Sequence, residues 1–149
     1  MRRLLYQSIC DKLAELKRVD GTQKIETMGL WNRQVEFIEQ ESTIKMPAIF
    51  IEVLQIKWSN GGLQGEGSVR LHIITQYIGT DRRGSYKEFK GLERFDLLDE
   101  ISSILYNFQP KDDKHNIYKF YSSVSNTNSD HSEIIEDIEE FTFSVVKKR

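Results

Sequence analysis

Carboxylate side chains and a histidine are concentrated in one stretch near the end of the chain. From Asp130 to Glu140 the sequence "DHSEIIEDIEE" contains six carboxylates and one imidazole, groups that commonly bind metals or act as acids and bases. A calcium loop of the EF-hand type needs acids at alternate positions around a central glycine, and this stretch has no glycine. Its spacing therefore does not predict a metal loop.

A catalytic pair of carboxylates is not expected in the same stretch either. Glu136 and Asp137 are adjacent, and adjacent side chains of an extended chain point to opposite faces. A catalytic pair must instead converge on one apolar pocket, which separates the two pKa values. We interpret the stretch as a solvated, negatively charged approach to the last strand, and Glu136 and Asp137 as candidate contacts with a partner.

A second candidate active site lies in the middle of the chain. A metal-dependent nuclease needs an acid and a Glu-x-Lys pair that together gather a metal ion and a phosphate group. Asp81, Glu88 and Lys90 have this spacing, but the residues around Glu88 are predicted to begin a helix. We keep a small metal-dependent nuclease of a mobile element as an alternative function, with the acidic stretch near Glu136 as its other candidate site.

The remaining nucleophiles and metal ligands are isolated in the sequence. His72, His115 and His131 show no metal-ligand spacing, and we expect each to be structural or solvent-exposed. Cys10 lies beside Ile9 on an apolar helix stripe, and no neighbouring residue supplies a base. The sequence thus predicts no catalytic residue, no metal and no cofactor, and a protein that is not an enzyme.

A glycine-rich stretch is a candidate for contact with other molecules. "SNGGLQGEG" contains four of the nine glycines and lies between two runs of strand-forming residues. Phosphate loops lead into helices, whereas this stretch leads into a strand, so it predicts the mobile tip of a β-hairpin. The candidate contact residues at this tip are Asn60, Gly61, Gly62 and Gln64.

The densest group of cations is the other candidate contact surface. It follows the predicted hairpin and extends into the start of a helix. Such a group can meet an acidic neighbouring subunit, including the acidic stretch described above, or DNA. Its members are Arg82, Arg83, Lys87 and Lys90.

Length and composition are typical of one folded domain, residues 1–149. The chain is 38% hydrophobic and 30% charged, with a formal net charge of −2, which argues against a dedicated polyanion binder. Its apolar runs are far too short to span a membrane, and charges interrupt the N-terminal segment where a signal peptide would be apolar. With a single cysteine, the chain requires no oxidising compartment, and we expect it to fold in a cytoplasm.

Hydrophobic periodicity predicts two helices and several strands. Apolar spacing predicts a first helix over residues 3–18 and a second one beginning at the S-x-x-E capping box of Ser85. The buried stripe of the second helix is predicted to comprise Leu92, Phe95, Leu98, Ile101, Leu105 and Phe108. Strands are predicted over residues 34–39, from Ala48 to Trp58, from Val69, over 117–124, and at "IEEFTFSVV" near the C-terminus.

The strand from Ala48 is apolar on both sides, which predicts a central strand with Phe50 and Ile56 on the same face. The order α-β-β-β-α-β-β favours an α+β fold: a single two-layer domain in which an antiparallel or mixed sheet of four to five strands carries two helices on one face.

This order of elements resembles a known family. The segments "MPAIFIEVLQIKW", "VRLHIITQY", "FDLLDEI" and "SDHSEIIEDIEEF" are similar to those of a small tail protein of Bacteroidetes-type prophages, and the wider pattern resembles tail-terminator or tail-completion proteins of long-tailed bacteriophages. The resemblance covers roughly Leu5 to Val146 and rests on element order and loose segments.

The resemblance implies a structural subunit of the virion tail that is made and assembled in the cytoplasm of the bacterial host. Its partners would be copies of itself in a ring, commonly a hexamer, together with tail-tube and neck proteins, and it would touch DNA in the channel only transiently. No catalytic residue and no membrane contact are implied. An adaptor or inhibitor domain of a mobile element remains a further alternative.

Overall fold

The computed structural model describes residues 1–37, 44–77, 82–128 and 133–149. Two helices and six strands position the surfaces discussed below, with short 3-10 turns at Gln34–Phe37 and Asn60–Gly62. The helices and strands are α1 Arg2–Leu13, β1 Thr27–Leu30, β2 Ala48–Ser59, β3 Gln64–Gln76, α2 Tyr86–Leu105, β4 His115–Ile117, β5 Tyr121–Asn128 and β6 Ile134–Lys147.

The strands form one mixed sheet in the order β1-β2-β3-β6-β4, and β5 pairs with β6 beside β4. Among the strand pairs of the described residues, only β1–β2 is parallel. The predicted α+β fold is confirmed, with six strands rather than four to five. No helix among the described residues is long and apolar enough to cross a bilayer.

Two of the predicted strands differ from the structure. The strand predicted over residues 34–39 is wrong, because Gln34–Phe37 forms a 3-10 turn and residues 38 and 39 lie outside the described part. The strand predicted over 117–124 is two strands, since the chain leaves the β6 ladder between Ile117 and Tyr121. β1 is a strand that the sequence patterns did not predict.

Both helices pack on one face of the sheet. From α1, Leu5, Ile9 and Leu13 are fully buried, and the helix ends at Leu13 instead of residue 18. From α2, the buried residues are Leu97, Ile101 and Leu105. The prediction that Leu92 and Phe95 belong to the buried stripe is wrong, because both side chains are about half exposed.

A bulge and two glycines shape the β2–β3 hairpin. The bulge between Val53 and Ile56 moves Ile56 onto the helix-covered face, so its predicted place beside Phe50 is wrong. Gly65 and Gly67 are buried in β3, where a Cβ at Gly67 would lie 2.9 Å from the side chains of Ile56 and Phe143. The hairpin tip is therefore shorter than predicted: only Asn60–Gly62 forms the turn, and β3 begins at Gln64.

The opposite face of the sheet, which we call the open face, is covered only in part. A second apolar cluster forms at one end of this face from Val35, Ala48, Phe50, Ile74 and Ile134, with Trp31, Ile44 and Met46 packed against it. Next to this cluster the same face carries charged side chains, which belong to the site described next.

Candidate functional site

Residues 134–140 of the acidic stretch form the start of β6, and three of the carboxylates there are buried. As predicted, its side chains alternate: Glu136 lies on the open face and Asp137 on the helix-covered face. The interpretation of a solvated approach is wrong for Glu136, Asp137 and Glu139, which are only 5%, 1% and 7% exposed. Residues 129–132, including His131, lie outside the described residues.

On the helix-covered face, Asp137 is held by α2 and β5. Arg94 Nη1 donates to both carboxylate oxygens of Asp137, at 2.9 and 3.1 Å, and Thr127 Oγ1 donates to Oδ1 at 2.7 Å. The negative charge of Asp137 and the positive charge of Arg94 therefore balance each other inside the subunit. A carboxylate held in this way does not provide the partner contact predicted for Asp137.

Glu139 is the second carboxylate on this face. Burial raises the pKa of Glu139, the hydrogen bond from Ser125 Oγ lowers it by less, and the nearby carboxylates of Asp137 and Asp99 raise it further. The folded state thus favours the protonated form of this side chain.

Glu139→Gln should accordingly stabilise the protein at neutral pH, since the amide needs no ionisation and its oxygen can still accept from Ser125. A carboxyl whose pKa is raised by folding contributes most to stability below its unfolded value and loses that contribution as pH rises through the folded value. The gain in unfolding free energy should therefore disappear as the pH falls below 4.5, the ordinary value for glutamate. Urea unfolding from pH 4 to 8 measures it, and a gain that does not depend on pH contradicts the prediction.

On the open face, His72 joins three strands. Its Nδ1 lies 2.7 Å from Glu136 Oε2 on β6 and its Nε2 lies 2.8 Å from Glu52 Oε2 on β2. The Trp31 ring is stacked on the imidazole at a centroid distance of 3.6 Å. Both ring nitrogens lie within hydrogen-bond distance of a carboxyl group, which leaves neither free to act as a base. Of the two alternatives expected for the histidines, structural or solvent-exposed, the buried His72 fits the structural one.

Arg70 continues this polar group along β3. Its guanidinium donates to Glu140 Oε2 at 3.1 Å and lies 3.8 Å from Glu52. Asn128 Nδ2 donates to the other oxygen of Glu136 at 3.2 Å. Acidic and basic groups therefore alternate across the open face, and Glu136 is engaged within the subunit, which argues against the predicted contact between Glu136 and a neighbour's basic loop.

The candidate nuclease residues have a different role in the structure. Glu88 forms one half of the predicted capping box of α2, since its N–H donates to Ser85 Oγ at 3.1 Å. Its Oε1 accepts from the N–H of Gly84, the residue before the N-cap, also at 3.1 Å. Lys90 forms an ion pair with Glu93 at 3.1 Å, and this hydrogen bond and charge raise the pKa of Lys90. Asp81 lies outside the described residues, and within the described ranges no three His, Cys, Asp or Glu side chains converge as metal ligands.

Other predicted contact residues are exposed. Arg82, Arg83 and Lys87 lie at the surface at the start of α2, and Asn60, Gly61, Gly62 and Gln64 lie at the surface of the hairpin turn. Cys10 is half-buried, and burial raises the pKa of its thiol, which keeps it protonated and unreactive.

The feature that the sequence did not predict is an exposed apolar surface on α2. It consists of Tyr86, Phe89, Leu92 and Phe95, whose side chains are 49–70% exposed. We call these four residues the α2 apolar surface. A cleft of about 410 Å³ lies between this part of the helix and the end of the sheet, with Leu92, Phe95, Tyr77 and Thr75 in its lining. Sequence spacing offered no signal, because these residues resemble an ordinary core stripe.

Thr75 lines this cleft, and substituting it tests whether its buried hydroxyl lacks a hydrogen-bond partner. Its hydroxyl is buried and has no hydrogen-bond partner among the residues that the structure describes. Thr75→Val should therefore stabilise the protein by about 1 kcal/mol, since an orphaned buried hydroxyl is removed at nearly constant shape.

Thr127→Val is the matched control, because the Thr127 hydroxyl donates to Asp137. This change should lower the free energy of unfolding by about 1–2 kcal/mol. Urea denaturation of both variants measures the two effects. Equal effects of the two substitutions would show that the Thr75 hydroxyl is not orphaned.

Comparisons with known proteins do not extend this description. The sequence matches no protein-family model and no curated protein.

Proposed function

We propose that this chain is a non-enzymatic structural protein of a phage or prophage tail, a terminator or completion subunit. It forms a homo-oligomeric ring at the head-proximal end of the tail tube, and it is made and assembled in the cytoplasm of the bacterial host. The proposal extends the resemblance in element order described above. It is supported by surfaces suited to protein contact and by charged clusters that are engaged inside the subunit.

The α2 apolar surface is the observation that carries the proposal. A single exposed apolar side chain is ordinary, but these four large ones recur at three-residue spacing along one helix, so that each adjoins the next. Aromatic residues are enriched in the cores of protein interfaces, and three of the four are aromatic. In the assembly we propose, each copy buries this surface against a neighbouring copy.

Exposed polar residues supply the contacts with other proteins and with DNA in this proposal. The Asn60–Gly62 turn ends the long β2–β3 hairpin and reaches tail-tube or neck proteins. Arg82, Arg83 and Lys87 supply positive charge beside the α2 apolar surface and would meet DNA in the channel, a contact that salt weakens.

The test is the double substitution Leu92→Ser and Phe95→Ser. Both side chains are half exposed, so the fold should lose little stability, whereas a contact that buries them should lose about 2 kcal/mol. We expect the association constant for each contact to fall roughly 30-fold, as measured by sedimentation at several protein concentrations.

Val19→Ser is the matched control, because Val19 is fully exposed and lies in the segment between α1 and β1. It should leave both the assembly and the melting temperature unchanged. The proposal is contradicted if the double variant assembles as the wild type does, or if the wild-type chain remains a monomer at every concentration.

A further inference from the structure

The outer edge of β5 is an open strand edge. Among the described residues, β5 pairs with β6 alone, along Tyr121–Asn128. The first seven residues of the strand are exposed. From Tyr121 to Thr127, the outer edge of the strand offers backbone N–H and C=O groups with which another strand can pair.

Proteins usually protect such an edge with charges or proline, and β5 has neither. Its sequence, "YSSVSNTN", is uncharged, whereas every other strand of more than four residues carries charged side chains. A bulge between Ser122 and Val124 interrupts only the beginning of the strand, and the ladder from Val124 to Asn128 is regular.

Charge determines which strand fits this edge. When an antiparallel strand pairs with its own copy about a two-fold axis, the residue on the axis faces its own copy, and every other residue faces the one equally far beyond the axis. A charge on the axis would therefore meet a like charge, and β5 carries no charge at any position. We propose that β5 pairs antiparallel with β5 of a second copy, so that two sheets join into one. This contact requires neither the ring nor the tail role proposed above.

Charge substitutions at Val124 test the pairing. Val124 lies near the middle of β5 and is 48% exposed, so Val124→Lys and Val124→Glu should both fold. With the two-fold axis at Val124, each variant alone should raise the dissociation constant of the two-copy contact about tenfold or more, because the like charges then face each other across the axis. An equimolar mixture of the two variants should recover the wild-type constant, since opposite charges then meet.

Sedimentation equilibrium of each variant, of the mixture and of the wild type gives the constants. The control pair is Ser103→Lys and Ser103→Glu, at an exposed position of α2, which should change nothing alone or mixed. Pairing is overturned if the Val124 variants associate as the wild type does, or if mixing them restores nothing. If the double variant Leu92→Ser and Phe95→Ser no longer forms the ring but still forms a two-copy species, the β5 contact is independent of the ring contact. A wild type that is always monomeric overturns both.

Discussion

Replacing Asp137 with alanine should reduce the free energy of unfolding by about 3–5 kcal/mol, because the change leaves a largely buried guanidinium without its counter-charge. Arg94 is only 17% exposed, and both of its hydrogen bonds to a carboxylate end at Asp137. Thr127 loses its acceptor at the same time. The measurement is urea denaturation at pH 7, with the midpoint shift converted to free energy at constant slope.

Glu133→Ala is the matched control for this prediction. Glu133 belongs to the same acidic stretch, but it is exposed, so its loss should change stability by less than about 0.5 kcal/mol. If both substitutions cost the same small amount, Asp137 is solvated after all, and the buried ion pair described above does not exist.

Replacing His72 with alanine should have an effect of the same size. Glu136, which is 5% exposed, and Glu52 would lose the imidazole between them, and Trp31 would lose the ring on which it stacks. Removing one side of a buried carboxyl–imidazole pair should cost about 3–5 kcal/mol. The change should appear as an earlier unfolding transition and as altered tryptophan fluorescence in the folded state.

His115→Ala supplies the comparison for His72. His115 is bonded to a single carboxylate, that of Asp112, and it lies at the end of the sheet. Its loss should cost about 1–2 kcal/mol, as expected for one charge-assisted hydrogen bond. A cost at His72 no larger than that at His115 would contradict the role of His72 as the link between β2, β3 and β6.

The spacing of apolar residues correctly predicted the buried side of an element where only one of its sides is apolar. Leu5, Ile9 and Leu13 recur at helical spacing, and all three are fully buried. In α2 the first half is apolar in several directions, and spacing alone could not show that Leu97, instead of Leu92 and Phe95, faces the sheet. The bulge that redirects Ile56 depends on pairing with β3, which local pattern does not contain.

The charged residues illustrate the same limit. Strand alternation correctly predicted that Glu136 and Asp137 lie on opposite faces. Their burial could not be predicted, because the partners that compensate it are distant in sequence: Arg94 is 43 residues from Asp137, and His72 is 64 residues from Glu136. We predicted that all six carboxylates of the acidic stretch are solvated, because the local pattern does not reveal the contacts with Arg94 and His72.

The mass of the wild-type protein in solution tests the central claim most directly. Measured by light scattering from micromolar to millimolar concentration, and with particles examined by negative-stain electron microscopy, the protein should form a closed assembly of defined copy number with a central channel. A single species at the mass of one 17.5 kDa chain over the whole range, with no rings in the images, would contradict it.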